Sequence, residues 1–230
     1  LKLIADGELG EILELRGRGK EDARGAAEDL WVLGSHVMDL MRGVSGNAAW
    51  CFARLTAEGR PVTKRDVKDG PEGLGPLAGD GVDAIFGFEN GVRGYFGSHK
   101  NQQGRPSRFG LMIHGSKGII EVTSGYMEAA YWLKDSSWSP GRTKAAWVPI
   151  SSQGVNRPET RNDQGYAGGH PAAVRDLLDA IQNDRPPRCN AHDALAITEM
   201  ILATFESHRQ NAPVTLPLAN RKHPLAMLKE

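Results

Sequence analysis

Between Glu28 and Arg42 the apolar positions recur at helical spacing. Leu30, Leu33, Val37, Leu40 and Met41, followed by Val44, make one stripe that faces a core. The pattern predicts one continuous amphipathic helix, with Asp29, Val32 and His36 at i, i+3 and i+7 stacked along the edge of the stripe. Gly43 and Gly46 stop it. Ahead of it, Leu1 to Ala5 reads as a helix tail or connector and Asp6-Gly7 as a turn. Glu11 to Lys20 then alternates as a strand, with Leu13 and Leu15 toward a core and Ile12, Glu14, Arg16, Arg18 and Lys20 on the other face.

Ala48 to Leu55 is a second strand, and the glycine- and proline-rich run Lys64 to Asp80 reads as a covering loop. Val82, Ala84, Phe86 and Phe88 alternate with Asp83, Ile85 and Gly87; Glu89-Asn90-Gly91 turns the chain, and Val92 to His99 returns with Tyr95 and Phe96 on opposite faces. Arg108 to His114 and Lys117 to Thr123 form another hairpin, and Met127 to Lys134 and Ala145 to Ile150 are shorter strands. Apolar residues stand on both faces of several strands, so the second face is expected to pack on something beyond the domain, most simply a second copy. Loop is expected over most of Asp135 to Gly169. A helix from about Pro171 to Asn183 follows, with proline in its first turn and Val174, Leu177, Leu178 and Ile181 as its apolar face. Asn190 caps a second helix to about Gln210, Pro213 to Leu218 is a last strand, and 219–230 is an exposed tail. Residues 1–218 are thus expected to form one α+β domain.

Composition narrows the function classes. The 28 Lys and Arg balance 28 Asp and Glu, so no overall field recruits nucleic acid or an anionic membrane, and no apolar run is long enough to span a bilayer. Cys51 and Cys189 sit far apart without metal-ligand spacing, and His99, His114, His192, His208 and His223 share no spacing that makes a metal site. A reducing, cytoplasmic setting is the default. The chain lacks an initiating Met, which suggests that it starts partway through a longer protein.

His36 is the residue with candidate chemistry. A histidine at the edge of an apolar stripe takes a hydroxyl proton near neutral pH, or is simply a satisfied helix residue. The row Arg16 and Arg18 suits a substrate carboxylate or phosphate, and equally a solvated sheet face or subunit contact.

The order of elements, with Gly10-Glu11-Ile12, Gly34-Ser35-His36-Val37-Met38-Asp39-Leu40, Phe88-Glu89-Asn90-Gly91-Val92, Gly115-Ser116-Lys117-Gly118, Asp179-Ala180-Ile181, Asp193-Ala194-Leu195 and Pro213-Val214-Thr215-Leu216-Pro217, resembles the C-terminal domain of the Gfo/Idh/MocA oxidoreductases. The resemblance implies an open, largely antiparallel mixed sheet with helices on one face, as in the C-terminal domain of glyceraldehyde-3-phosphate dehydrogenase. It implies a sugar or polyol substrate, homo-oligomers built through the open sheet, and NAD or NADP held mainly by a Rossmann domain; neither G-x-G-x-x-G nor the family's Glu-Lys-Pro motif occurs here.

By the same resemblance His36 is the acid/base, and Tyr166 and His170 lie where family members approach substrate. Arg16, Arg18 and Lys100 are candidates for substrate hydroxyls or acid groups, and Trp138 for stacking on a sugar face. The family's aspartate four residues before the histidine is Val32 here, so Asp29 stands as its substitute or as a helix-start residue. Asp39 is expected to make a structural hydrogen bond. Three functions follow: dehydrogenation of a sugar or polyol; a non-catalytic binding or assembly domain, with Val32 marking a lapsed proton relay; and transient redox that enables elimination or glycoside cleavage.

Overall fold

The computed structural model describes residues 1–104, 107–124, 129–161 and 166–229, without the side chains of Tyr166 and Ala167. After a short α1 (Lys2–Ala5), β1 (Ile12–Arg18) leads to α2 (Ala27–Val32) and α3 (Gly34–Ser45). Next come β2 (Ala48–Ala57), β3 (Arg60–Pro61), β4 (Lys68–Asp69), β5 (Pro76–Leu77), β6 (Gly81–Phe88) and β7 (Arg93–His99). The chain continues with β8 (Gly110–Gly115), β9 (Gly118–Thr123), β10 (Ala130–Leu133), α4 (Pro140–Thr143), β11 (Trp147–Ser151) and β12 (Gly154–Val155). It closes with α5 (Tyr166–Gln182), α6 (Ala191–Gln210) and β13 (Val214–Thr215).

Eleven strands join in one open sheet of order β12-β11-β10-β9-β8-β1-β7-β6-β2-β13, with β3 on β2. All pairs are antiparallel except β1 with β7, so β1 is inserted between two strands that follow it much later in the chain. Register sorts the side chains. Leu15, Phe96, Ala84 and Ala53 share the face covered by α2, α3 and α6, while Arg16, Tyr95, Ile85 and Phe52 share the open one. Gly17 lets α3 approach β1, since a Cβ there would stand 2.5 Å from Met41 Cε and 2.6 Å from Val37 Cγ1. On the other side of the core, α6 seals the free edge of β2: Ser207 Oγ accepts the Ala53 N–H (2.9 Å) and His208 Nδ1 the Leu55 N–H (3.2 Å).

Five sequence expectations are corrected. The helix expected to run from Glu28 to Arg42 is two, broken at Leu33 (φ −122°, ψ −31°), and the glycine after the break lets the chain pass close to the Phe96 ring. Leu13 does not join Leu15 in the core; the β1–β8 register shifts there and Leu13 is exposed. Within the run expected to be loop, Lys68–Asp69 pairs with Pro76–Leu77 and Leu77 is buried. The helix expected from Pro171 begins at Tyr166, which puts the proline inside it, and Val174, Leu177, Leu178 and Ile181 face solvent rather than a core. The segment after Leu218 is not an exposed tail either: Leu225 is fully buried, Lys64 Nζ donates to Ala226 O (3.1 Å) and Arg221 pairs with Glu199. The start of the strand expected from Met127 lies outside the described residues. No helix among the described residues is long and apolar enough to cross a membrane.

Candidate functional site

β1 and β7 run toward one end of the sheet, where β8 begins and β9 ends. The turns after β1 and after β7 therefore meet there, beside the start of α2. Gly25 lies so close to the second turn that a Cβ on it would be 2.5 Å from Lys100 Cα. Ala26 takes φ 72° and ψ −130°, a conformation costly for any residue with a Cβ. Its N–H donates to Ser98 Oγ (3.0 Å), and Ser98 donates to Asp29 Oδ2 (2.6 Å). The first turn of α3 follows directly, with His36 exposed and its N–H on Leu33 O (3.1 Å). His36 and Lys100 thus stand at the same end of the sheet, on elements pinned to one another through Gly25, Ala26 and Ser98.

Asp29 does not stack with His36, because the break at Leu33 interrupts the line. The carboxyl of Asp29 turns inward to Ser98 and the Glu21 N–H (3.3 Å), and burial pushes its pKa up against those hydrogen bonds. Arg16 lies on the open face, ion-paired with Glu14 (2.6 Å) and separated from α3 by the sheet. Arg18 starts on the same face and curls around the sheet end to Glu21 (2.8 Å). His170 is exposed in the first turns of α5; Tyr166 opens that helix, with its side chain outside the description. Trp138 is not an open stacking surface: its Nε1–H donates to Gly115 O (3.0 Å) and its ring packs edge-on against His114. Asp39 makes an outlying ion pair with Arg42 (3.9 Å), which also meets Asp193 (3.3 Å).

Three residues of this end were not among the sequence candidates. Glu21 is fully buried with a left-handed φ of 60° and accepts from Arg18, the His99 N–H (3.0 Å) and Arg108 (2.7 Å). A charged residue in a loop carries no periodic sign of such burial. Ser98 was findable, since it continues the core-facing alternation of Gly94 and Phe96 with a polar side chain. Arg108 gives no local signal.

Beside α3, Leu40 and Val44 wall a groove of about 710 Å³ floored by Leu111, Ile113 and Ile120 on the helix-side face of β8 and β9. His36 is not among its lining residues; its floor is apolar, and Asp39, Arg42, Arg188 and Asp193 stand at its walls. The turn from β1 into α2 does not fit a dinucleotide. Its helix-start N–H is taken by Ser98, and the buried carboxyls of Glu21 and Asp29 behind it add negative charge unsuited to a pyrophosphate. No group of three metal-ligating side chains occurs among the described residues.

Residues 2–216 match the family described as "Oxidoreductase family, C-terminal alpha/beta domain". Among curated proteins, a glycosyl hydrolase family 109 protein from Parabacteroides distasonis is 25% identical over 174 residues, covering 70% of this chain and 35% of that protein. Among solved structures, an oxidoreductase domain protein from Kribbella flavida superposes with a TM-score of 0.68 at 20% identity, over 94% of this chain and 61% of that one. A levoglucosan dehydrogenase in complex with NADH and levoglucosan does so with a TM-score of 0.70 at 20% identity, over 94% of this chain and 62% of that one. The chain thus spans about a third of the curated relative and less than two thirds of these structures. With the family model matching residues 2–216, nearly the whole chain, the chain belongs to the Gfo/Idh/MocA oxidoreductase family, as its C-terminal α/β domain.

Proposed function

We propose that this chain is the substrate-binding and assembly domain of an NAD(P)-dependent oxidoreductase acting on a hydroxyl-bearing carbon of a sugar, polyol or related compound. NAD or NADP, held by a nucleotide-binding domain outside these residues, supplies the hydride acceptor when bound. The observation that carries the reading is the family match over residues 2–216 together with His36, exposed on the first turn of α3 at the sheet end where the loops converge. His36 accepts the hydroxyl proton in the oxidative direction and returns it in reverse, which needs a ring nitrogen within hydrogen-bond reach of the substrate hydroxyl. Lys100 and His170 are the described side chains we assign to the substrate with it, and Tyr166, whose side chain lies outside the description, is kept as a third candidate. Asp29 supports the helix start from within, and Arg16 and Arg18 belong to the far face and the sheet end. A sugar substrate is supported by the likeness to levoglucosan dehydrogenase. A second reading, transient oxidation that enables glycoside cleavage, is favoured by the likeness to a glycosyl hydrolase family 109 protein.

The test is cofactor reduction by the full protein with a panel of sugars and polyols, for wild type and His36→Ala. Turnover with NAD or NADP, reduced about 100-fold or more in the variant, supports the dehydrogenase reading. Glycoside cleavage without net cofactor change points to transient redox, and an unaffected variant removes His36 from the site. Neither activity in the wild type would leave a binding or assembly domain. Assembly uses the open face, where Tyr95, Tyr131 and Trp147 are exposed.

A further inference from the structure

We infer that Arg108, held in place by the buried carboxylate of Glu21, binds the anionic group of an acidic sugar, a carboxylate or a phosphate. The inference rests on the sugar-oxidoreductase reading and narrows its substrate class. Arg60 gives Nη1 and Nη2 to the two oxygens of Asp66 (2.8 Å each), and that fork is used up. Arg108, like Arg16 and Arg221, meets its carboxylate through one amino group, but its carboxylate is the fully buried one. Its Nη2 alone is engaged, by Glu21 Oε2 (2.7 Å) and Gln102 O (3.0 Å), while Nη1 and Nε make no hydrogen bond among the described residues and the side chain is half exposed.

Its anchor is built at some cost. Glu21 is fully buried at a left-handed φ of 60°, a conformation that non-glycine residues occupy only when the surroundings hold them there. That carboxylate also takes Arg18, which lies beside Asp83, so Glu21 anchors two guanidinium groups and Arg108 is the one of them on the side away from Asp83's strand pair with Gly97. Lys100, exposed at the same end of the sheet, brings a further positive charge, while Asp22 is already paired with Lys20 (3.1 Å). Glu21 connects this charge to the candidate site: its N–H meets Asp29, which lies in the helix directly before the one that carries His36. A guanidinium fixed on one amino group, with its remaining N–H donors unengaged among the described residues and the side chain half exposed, can receive an anion at little cost in side-chain freedom.

The experiment is calorimetric titration of the full protein with D-glucuronate, D-glucose 6-phosphate and D-glucose, for wild type, Arg108→Gln and Arg108→Lys, each checked for an unchanged melting temperature. At least one anionic sugar should bind about tenfold or more tighter than glucose, the size of one charge-assisted hydrogen bond. Arg108→Gln should bring it down to the glucose value, and Arg108→Lys should keep part of the preference. Which anion gains shows whether the site takes a carboxylate or a phosphate. If anionic and neutral sugars bind alike, or the preference survives in Arg108→Gln, the inference is overturned. Turnover of neutral sugars that Arg108→Gln leaves untouched would then preserve the oxidoreductase reading, whereas no binding of any sugar removes both.

Discussion

At the scale of single residues, the two buried carboxyls behind the α2 start illustrate opposite ways of burying an acid. Glu21 is matched by guanidinium groups, whereas Asp29 has only a hydroxyl and a backbone N–H, and its Oδ1 has no hydrogen-bond partner among the described residues. Because burial raises the Asp29 pKa above that of the unfolded chain, the unfolded state loses this proton first as pH rises. Its contribution therefore favours folding below the ordinary carboxyl range and is progressively lost above it. Asp29→Asn, which keeps the acceptor without the charge, should leave stability at pH 7 unchanged or improved and flatten that part of the pH profile, as read by urea denaturation across pH. Asp29→Ala leaves the Ser98 hydroxyl and the Glu21 N–H unpaired and should cost about 1–3 kcal/mol. The place of His36 on a helix was legible in the sequence because the helix is patterned; the acid network was not, because burial of a loop carboxylate depends on partners far along the chain, Ser98 and Arg108 among them.

At the scale of elements, the strands that alternate cleanly, β6 and β7, match their sequence reading in residues and in faces. Misreadings fell at helix ends, which periodicity does not fix: the α2–α3 run breaks at Leu33, where the chain passes the Phe96 ring, and α5 starts ahead of the proline that was expected to open it. The packing of α3 on β1 can be tested at Gly17. Gly17→Ala must push Met41 and Val37 aside, and the overpacking should destabilise by about 1–3 kcal/mol in a urea titration. The seal of α6 on β2 can be tested with pH. His208 accepts the Leu55 N–H and donates to Val62 O (3.0 Å), a pattern that only the neutral ring satisfies, and desolvation lowers its pKa. A pKa depressed on folding means that protonation favours the unfolded chain, so stability should fall as pH drops below the ordinary histidine value of 6.5 and level off below the folded-state pKa. His114 and His223 are depressed by burial in the same direction, so His208→Gln should remove part of this slope rather than all of it.

At the scale of the whole molecule, one face of the sheet is sheathed in helices and the other is bare. The bare face mixes Trp50, with Arg93 over its ring at 5.5 Å, and exposed Tyr95 with Glu14, Arg16, Arg54 and Asp83. A face of balanced charges and aromatic rings suits a second copy of itself. Tyr95→Glu should therefore shift the sedimentation profile toward the monomer, and a wild type already monomeric at every concentration would count against assembly through this face. The central position of β1 matters in another respect. Its neighbours in the sheet pair Glu14 with Arg93 and with His114, so both of its edges stay bare until those later segments have left the ribosome. Closing such distant pairings is slow, and an unpaired strand is open to wrong partners in the meantime. A nascent chain arrested before β8 has left the ribosome should consequently be protease-sensitive along β1, and release of the β8–β9 hairpin should protect β1, while β2 stays open until α6 is made.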